Sequence, residues 1–288
     1  SERSGIPAMI THFKIRGKKN WGRSAALIRR IDEARAAGID VTMAQYPYTA
    51  GSTFLHVVIP PWYHSRGTDG LLKALAEERE QVKKDMLTTE GWENFSQVVG
   101  WEKIFVSSVV SEANQPCVGK SISQIAAERG HADPADAAFD LLVEEQLAVG
   151  MISFGLDEAD ITAIMRHPAV SFITDGLMSG RPHPRAYATY PRILGRYVRE
   201  QGVLSLEEAV RKMTSLPARK IRLRNKGVIA EGYDADLVVF DPDTVIDKNS
   251  YDDPRVHPAG IAHVLVNGVF VVEDAALTGA RPGRVIRD

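Results

Sequence analysis

Ala169-Val-Ser-Phe-Ile-Thr-Asp175-Gly176 decides the fold. A short apolar run ends in one carboxylate, and a glycine follows at once. Runs of this length that end in turn residues read as buried strands. A strand that hands a polar side chain to a loop at its C-terminal end is how α/β enzymes present a catalytic group. Eight residues on stands His183-Pro184-Arg185, an imidazole and a guanidinium that an anionic substrate would need. Asp175 is the strongest single candidate: a carboxylate at a strand exit serves as general base or metal ligand, and the same Asp-Gly pair also serves as a plain turn or helix cap.

Outward from that stretch the chain alternates. Ala8–His12 reads as a strand and 21–37 as a helix that Gly38 stops. Residues 39–44 form a second strand, 71–84 an amphipathic helix, and 103–110 a β-rich run. Helices at 121–129 and 134–146 follow, the second opened by Asp133-Pro134. Then come a strand at 149–154, a helix at 158–166, the 170–174 strand, and helices at 191–201 and 205–214. Ser205-Leu-Glu-Glu208 is a capping box. Such alternation predicts a parallel sheet with right-handed crossovers. Near residue 226 the pattern changes to short strands, at 227–229, 235–240, 261–266 and 269–272. Asn267-Gly268 between the last two is a hairpin signal. The division expected is 1–225 for the α/β part, with an inserted segment around 54–110, and 226–288 for an all-β part.

The bulk numbers exclude several classes. The 288 residues carry a formal net charge of -2 and 44% hydrophobic residues, so there is no basic footprint for nucleic acid and no polybasic membrane patch. No apolar run approaches the roughly 20 residues of a membrane span. One cysteine, Cys117, excludes an internal disulfide and a CxxC metal knuckle, and points to a reducing cytoplasm. HExxH, GxSxG and Walker lysine patterns are missing. The first residues, Ser1-Glu-Arg-Ser-Gly5, read as the end of a helix, so the chain is expected to be the C-terminal part of something longer.

Other candidates sit at strand ends. His12 closes an apolar strand, as a ligand or as a histidine held by backbone. Lys14 is an anion-binding group or a solvated loop lysine. Tyr46 and Tyr48, in Tyr46-Pro-Tyr-Thr-Ala-Gly-Ser-Thr53, line a pocket or ride on a turn whose path Pro47 and Gly51 set. Arg185 binds a carboxylate through its fork or makes a surface ion pair.

Several stretches together resemble the N-acyl-D-amino-acid deacylases (D-aminoacylases) of the amidohydrolase superfamily. They are Ser4-Gly-Ile-Pro-Ala-Met-Ile-Thr-His-Phe-Lys14, Gly17-Lys-Lys-Asn-Trp-Gly22, Gln45-Tyr-Pro-Tyr-Thr-Ala-Gly-Ser-Thr53, Val118-Gly-Lys-Ser121, Thr174-Asp-Gly176, and His183-Pro-Arg-Ala-Tyr187 with Pro191-Arg-Ile-Leu-Gly-Arg-Tyr197. The tail adds Gly232–Pro242, Val266-Asn-Gly268 and Thr278–Arg284. The resemblance implies the C-terminal portion of a metal-dependent (β/α)8 barrel with part of a small β-sandwich, and zinc (Zn2+) as the cofactor. It implies His12 as a metal ligand on the fifth barrel strand and Asp175 as metal ligand and proton shuttle after the last. It also makes Arg185 the holder of the substrate's α-carboxylate, with His183 as its neighbour. The family's HxH pair and metal-ligating cysteine have no counterpart here, and Cys117 stands in another context. The reaction implied is zinc-assisted hydrolysis of N-acyl-D-amino acids, with the N-terminal part of the same enzyme as the partner that completes the barrel; the chain alone is expected to be inactive. The alternatives are a hydantoinase- or dihydroorotase-like cyclic amidohydrolase and a non-catalytic truncated homologue.

Overall fold

The computed structural model describes residues 1–88 and 91–286. It contains three sheets. The first is parallel, in the order β1 (Ala8–Ile10), β2 (Val41–Gln45), β6 (Val170–Phe172). The helix Ser24–Ala36 crosses from β1 to β2, as the alternation predicts. The central strand β2 is buried along its whole length, the usual state of a parallel strand with both faces covered. Phe13, Ile15, Ile31, Met43, Ile164 and Val170 fill the space around this sheet.

The second sheet is antiparallel, in the order β3 (Ala50–Phe54), β5 (Gly150–Phe154), β4 (Ile104–Ser108). It departs from the expectation of a single parallel sheet. The 149–154 run does form a strand, but its partners lie at 50–54 and 104–108, outside the βαβ succession. β3 lies mostly in the stretch Tyr46–Thr53, which the sequence leaves open between a pocket wall and a turn. It becomes a strand by pairing with β5 from Ala50↔Phe154 to Phe54↔Gly150. Helices Gly67–Glu77, Arg79–Met86, Ile122–Arg129 and Pro134–Glu144 cover this sheet and make the largest apolar cluster of the chain, around Leu71, Phe139 and Leu142. The helix expected at 71–84 is thus two helices that break at Glu78. Residues 89 and 90 of the segment expected as inserted lie outside the described residues.

The helix starts follow the sequence. The Asp133 side chain accepts from the Ala135 N–H with Pro134 in the first turn, and Ser205 Oγ accepts from the Glu208 N–H. The third sheet, β7 (Leu237–Phe240), β8 (Ile261–Val266), β9 (Val269–Glu273) and β10 (Ala276–Leu277), is an antiparallel meander. Asn267 and Gly268 both take positive φ, 49° and 78°, as a type I′ hairpin turn requires. The strand expected at 227–229 does not form; Ile229 is almost fully exposed, and that segment is loop.

Candidate active site

His12 and Asp175 follow the C-terminal ends of β1 and β6, the two strands that flank β2. Both take left-handed backbone, φ 41° and 47°. A residue with a side chain pays about 1–3 kcal/mol for such a conformation, and its recurrence at the exits of both strands that flank β2 marks these exits as candidates for function. Tyr46, one residue past the end of β2, lies between them and is buried.

Arg185 opens the helix Arg185–Arg192, and its side chain is only 1% exposed. Its guanidinium lies 4.4 Å from the centroid of the Tyr46 ring. Nη2 reaches Asp175 Oδ2 at 2.9 Å and donates to the Ser52 carbonyl at 3.1 Å. Nε and Nη1 are buried with no partner among the described residues. Two unused donors on a buried cation are costly unless a ligand takes them, and a guanidinium fork suits a carboxylate. Arg185 is therefore no surface ion pair.

His183 stands beside Arg185, as the resemblance implies, but its ring faces backbone. It is fully buried, its Nε2–H donates to the Ala50 carbonyl at 3.1 Å, and its Nδ1 accepts the Arg185 backbone N–H at 3.0 Å. Burial, and then the Arg185 charge, push its pKa well below the usual imidazole value, so it is neutral. Both nitrogens are spent on backbone, leaving none for a reacting oxygen. His183 instead sets the start of the helix that carries Arg185. The carbonyls that receive His183 and Arg185, those of Ala50 and Ser52, are two residues apart on edge strand β3 and so point the same way.

The two tyrosines part company. Tyr46 faces Arg185 and Asp175; burial raises its pKa, against the pull of the Arg185 charge. Tyr48 lies behind, its ring 5.0 Å edge-on from His183 and 4.7 Å from the Arg192 guanidinium. Arg192 in turn binds Asp247 at 2.7 Å and the Pro47 carbonyl at 3.0 Å. Tyr48 thus belongs to a supporting layer with Arg192, Asp247 and Tyr251, whose ring lies 5.1 Å from His183. None of these three drew notice as site residues in the sequence, although Arg192 lies in the Pro191-Arg-Ile-Leu-Gly stretch.

Beside His12 the chain places two further cations. Lys14 Nζ lies 3.0 Å from His12 Nδ1; burial, and then Arg16, push Lys14 down to about 8. Burial, then Lys14, also lowers the His12 pKa. Arg16 went unremarked in the sequence, because its partners Glu93 and Phe95 meet it only in the folded chain. All three border a cleft of about 770 Å³ beside β1.

Zinc, which the resemblance implies, needs more donors than these elements bring together. Among the described residues no three His, Cys, Asp or Glu side chains converge as metal ligands. His12 and Asp175 are two donors where zinc takes about four, and each now faces a cation, Lys14 and Arg185. The residues present do not by themselves fit a closed zinc site.

Comparison with known proteins places this geometry. Residues 112–272 match the amidohydrolase family. The chain is 37% identical over 286 residues to an N-acyl-D-glutamate deacylase of Alcaligenes xylosoxydans xylosoxydans, covering 99% of this chain and 49% of that protein. The chain belongs to the amidohydrolase family. A D-aminoacylase of the same organism is 36% identical, over 98% of this amidohydrolase chain and 49% of its own length. Among solved structures, N-acyl-D-glutamate deacylase from Bordetella bronchiseptica, complexed with zinc and a phosphonate inhibitor, superposes with a TM-score of 0.79 at 34% identity, covering 99% of this chain and 51% of that one. The resemblance to N-acyl-D-amino-acid deacylases and the mixed α/β amidohydrolase fold read from the sequence are borne out. The amidohydrolase chain spans about half the length of the curated relatives it matches. No described helix is long and apolar enough to cross a membrane.

Proposed function

We propose that this chain carries the substrate-anchoring and proton-moving residues of an enzyme that hydrolyses the amide bond of N-acyl-D-amino acids. The observation that carries the reading is the buried Arg185 fork with two unpartnered donors, beside Asp175 at a strand exit. Arg185 takes the substrate's α-carboxylate through Nε and Nη1, and the Tyr46 ring holds the guanidinium in plane. Asp175, more exposed than its partner, releases Arg185 Nη2 when the substrate arrives. As base it takes a proton from the attacking water; the new C–O bond forms at the acyl carbon. The C–N bond then breaks as Asp175 gives that proton to the leaving nitrogen, freeing a carboxylate and a D-amino acid. His183 keeps the loop in place and moves no proton. His12 and Asp175 would be the two donors this chain offers a zinc ion, which takes about four and would supply Lewis-acid activation of the water and the acyl carbonyl. In this reading residues 1–225 are barrel and inserted segment, and 226–288 a β-sandwich portion.

The test uses the complete gene product. It should hydrolyse N-acetyl-D-amino acids in preference to their L-enantiomers and to hydantoins. Asp175→Asn should lower kcat by about 1,000-fold while the protein stays folded by circular dichroism. Faster turnover of hydantoin, or full activity in Asp175→Asn, would sink the reading.

A further inference from the structure

The connection between β7 and β8 does more than span them. From Asp247 to Tyr251 its exposure alternates: Lys248 and Ser250 are exposed, while Asp247, Asn249 and Tyr251 are half-buried. That is the alternation of extended chain, in which every second side chain points the same way. The three inward residues each meet a different point of the segment 183–192. Asp247 takes the Arg192 guanidinium at 2.7 Å. Asn249 Nδ2 donates to the Pro184 carbonyl at 3.0 Å. The Tyr251 ring meets the His183 imidazole edge-on, with centroids 5.1 Å apart.

The helix that carries Arg185 needs such support. Pro184 stands just before Arg185 at its start, and no side chain caps that start by a hydrogen bond. Its first residues are therefore held from outside. The β3 carbonyl of Ala50 holds His183 on one side, and Asn249 holds Pro184 on the other. Asn249 Nδ2 also bonds the Pro254 carbonyl at 3.0 Å, which closes the connection on itself. Both neighbours are carbonyls, so only the amide nitrogen can face them. Further along, Arg181 donates to the Asp252 carbonyl at 2.8 Å and to its carboxylate at 2.7 Å, and Arg255 donates to the Gly180 carbonyl. Gly180 and Arg181 lie in the loop between Asp175 and His183, so the same connection grips that loop as well. A plain surface connection would leave these polar side chains to water.

Resting on the function proposed above, we infer that Asp247, Asn249 and Tyr251 form a strap that positions Arg185 for the substrate's α-carboxylate, with Asn249 as the positioning residue that fixes the turn before it. The strap belongs to the stretch 226–288, so the C-terminal portion takes part in substrate binding from behind, without touching the substrate.

The experiment measures acetate release by the complete gene product from N-acetyl-D-leucine and N-acetyl-D-glutamate, each against its α-carboxamide. The carboxamide keeps the shape of the substrate and lacks the charge that Arg185 holds. The parent should prefer each acid by roughly 100-fold in kcat/KM, the loss expected for a charge-assisted contact. Asn249→Ala should cut that preference by about 10-fold, through KM for the acids, and leave the carboxamides nearly unchanged. Lys248→Ala, on the outward side, should alter neither. An unchanged preference in Asn249→Ala would overturn the inference. So would a loss shared alike by acids and carboxamides, the result of a merely structural role. If Asn249→Ala does not fold, Tyr251→Leu, which removes the ring edge and keeps an apolar side chain, is read by the same ratio. Loss of folding in both variants would also overturn the inference, since these residues would then hold the fold and not the site. Hydrolysis by the parent without preference for acid over carboxamide removes the inference and keeps the amide hydrolysis. No hydrolysis of either acid removes both.

Discussion

The antiparallel sheet β3–β5–β4 and the parallel sheet β1–β2–β6 are covered very differently. The antiparallel sheet lies under helices that bury Leu141, Leu142, Phe139 and Ile122 almost completely. The parallel sheet buries β2, but β1 at its edge leaves Ile10 39% exposed and borders the open cleft at His12. The chemistry-bearing residues gather at the open sheet and are steadied by the closed one. Charged groups are cheapest to keep where water or a ligand can reach them, while their placement has to be held from a region that does not yield.

The first way to break this comparison is to hollow out the closed region. Leu142→Ala should destabilise the chain by about 3 kcal/mol, since Leu142 is fully buried and the cavity has little freedom to collapse. Urea unfolding measures it, and a loss below about 1 kcal/mol would show that the antiparallel unit is not the tightly packed half.

Next is Glu145, a buried carboxylate at the end of helix Pro134–Glu144. Burial alone would raise its pKa. The N–H groups of Val110 and Ser111, the Asn114 amide and the Ser111 hydroxyl outweigh that and hold it down to about 2. A depressed acid stabilises the fold above its unfolded pKa, here 4.5. Its contribution, on the order of 2 kcal/mol, is full above that pH and disappears as pH falls toward about 2. Acid titration of stability should show this slope in the parent and lose it in Glu145→Gln.

The smallest effect should come from the open region. Ile10→Thr should change stability by no more than about 0.5 kcal/mol, because a half-exposed side chain at a sheet edge forfeits little burial. A loss near that of Leu142→Ala, measured in the same urea series, would erase the contrast.

What the sequence made legible follows the same division. β1, β2 and β6, the crossover helix Ser24–Ala36 and the Asn267-Gly268 hairpin were legible because local pattern and turn chemistry specify them. β3 was not: nothing local in Ala50-Gly-Ser-Thr-Phe54 marks a strand, and only its pairing with β5, about a hundred residues away, makes it one. In the site, Asp175, His12 and Arg185 stood out by their place after strands. Arg16 did not, because its partners Glu93 and Phe95 meet it only in the folded chain. His183 stood beside Arg185 in sequence, but whether its nitrogens meet substrate or backbone was a matter of the fold, and both meet backbone.

The carbonyls that Ala50 and Ser52 turn toward His183 and Arg185 act as the fixed jaw of a caliper. One sets the imidazole that starts the Arg185 helix, the other gauges the guanidinium itself. A sub-ångström drift of β3, driven by repacking anywhere beneath it, would change the gap a ligand has to fill. Selection on this lineage can therefore retune ligand fit through substitutions that never touch a ligand, with β3 as the part that transmits them.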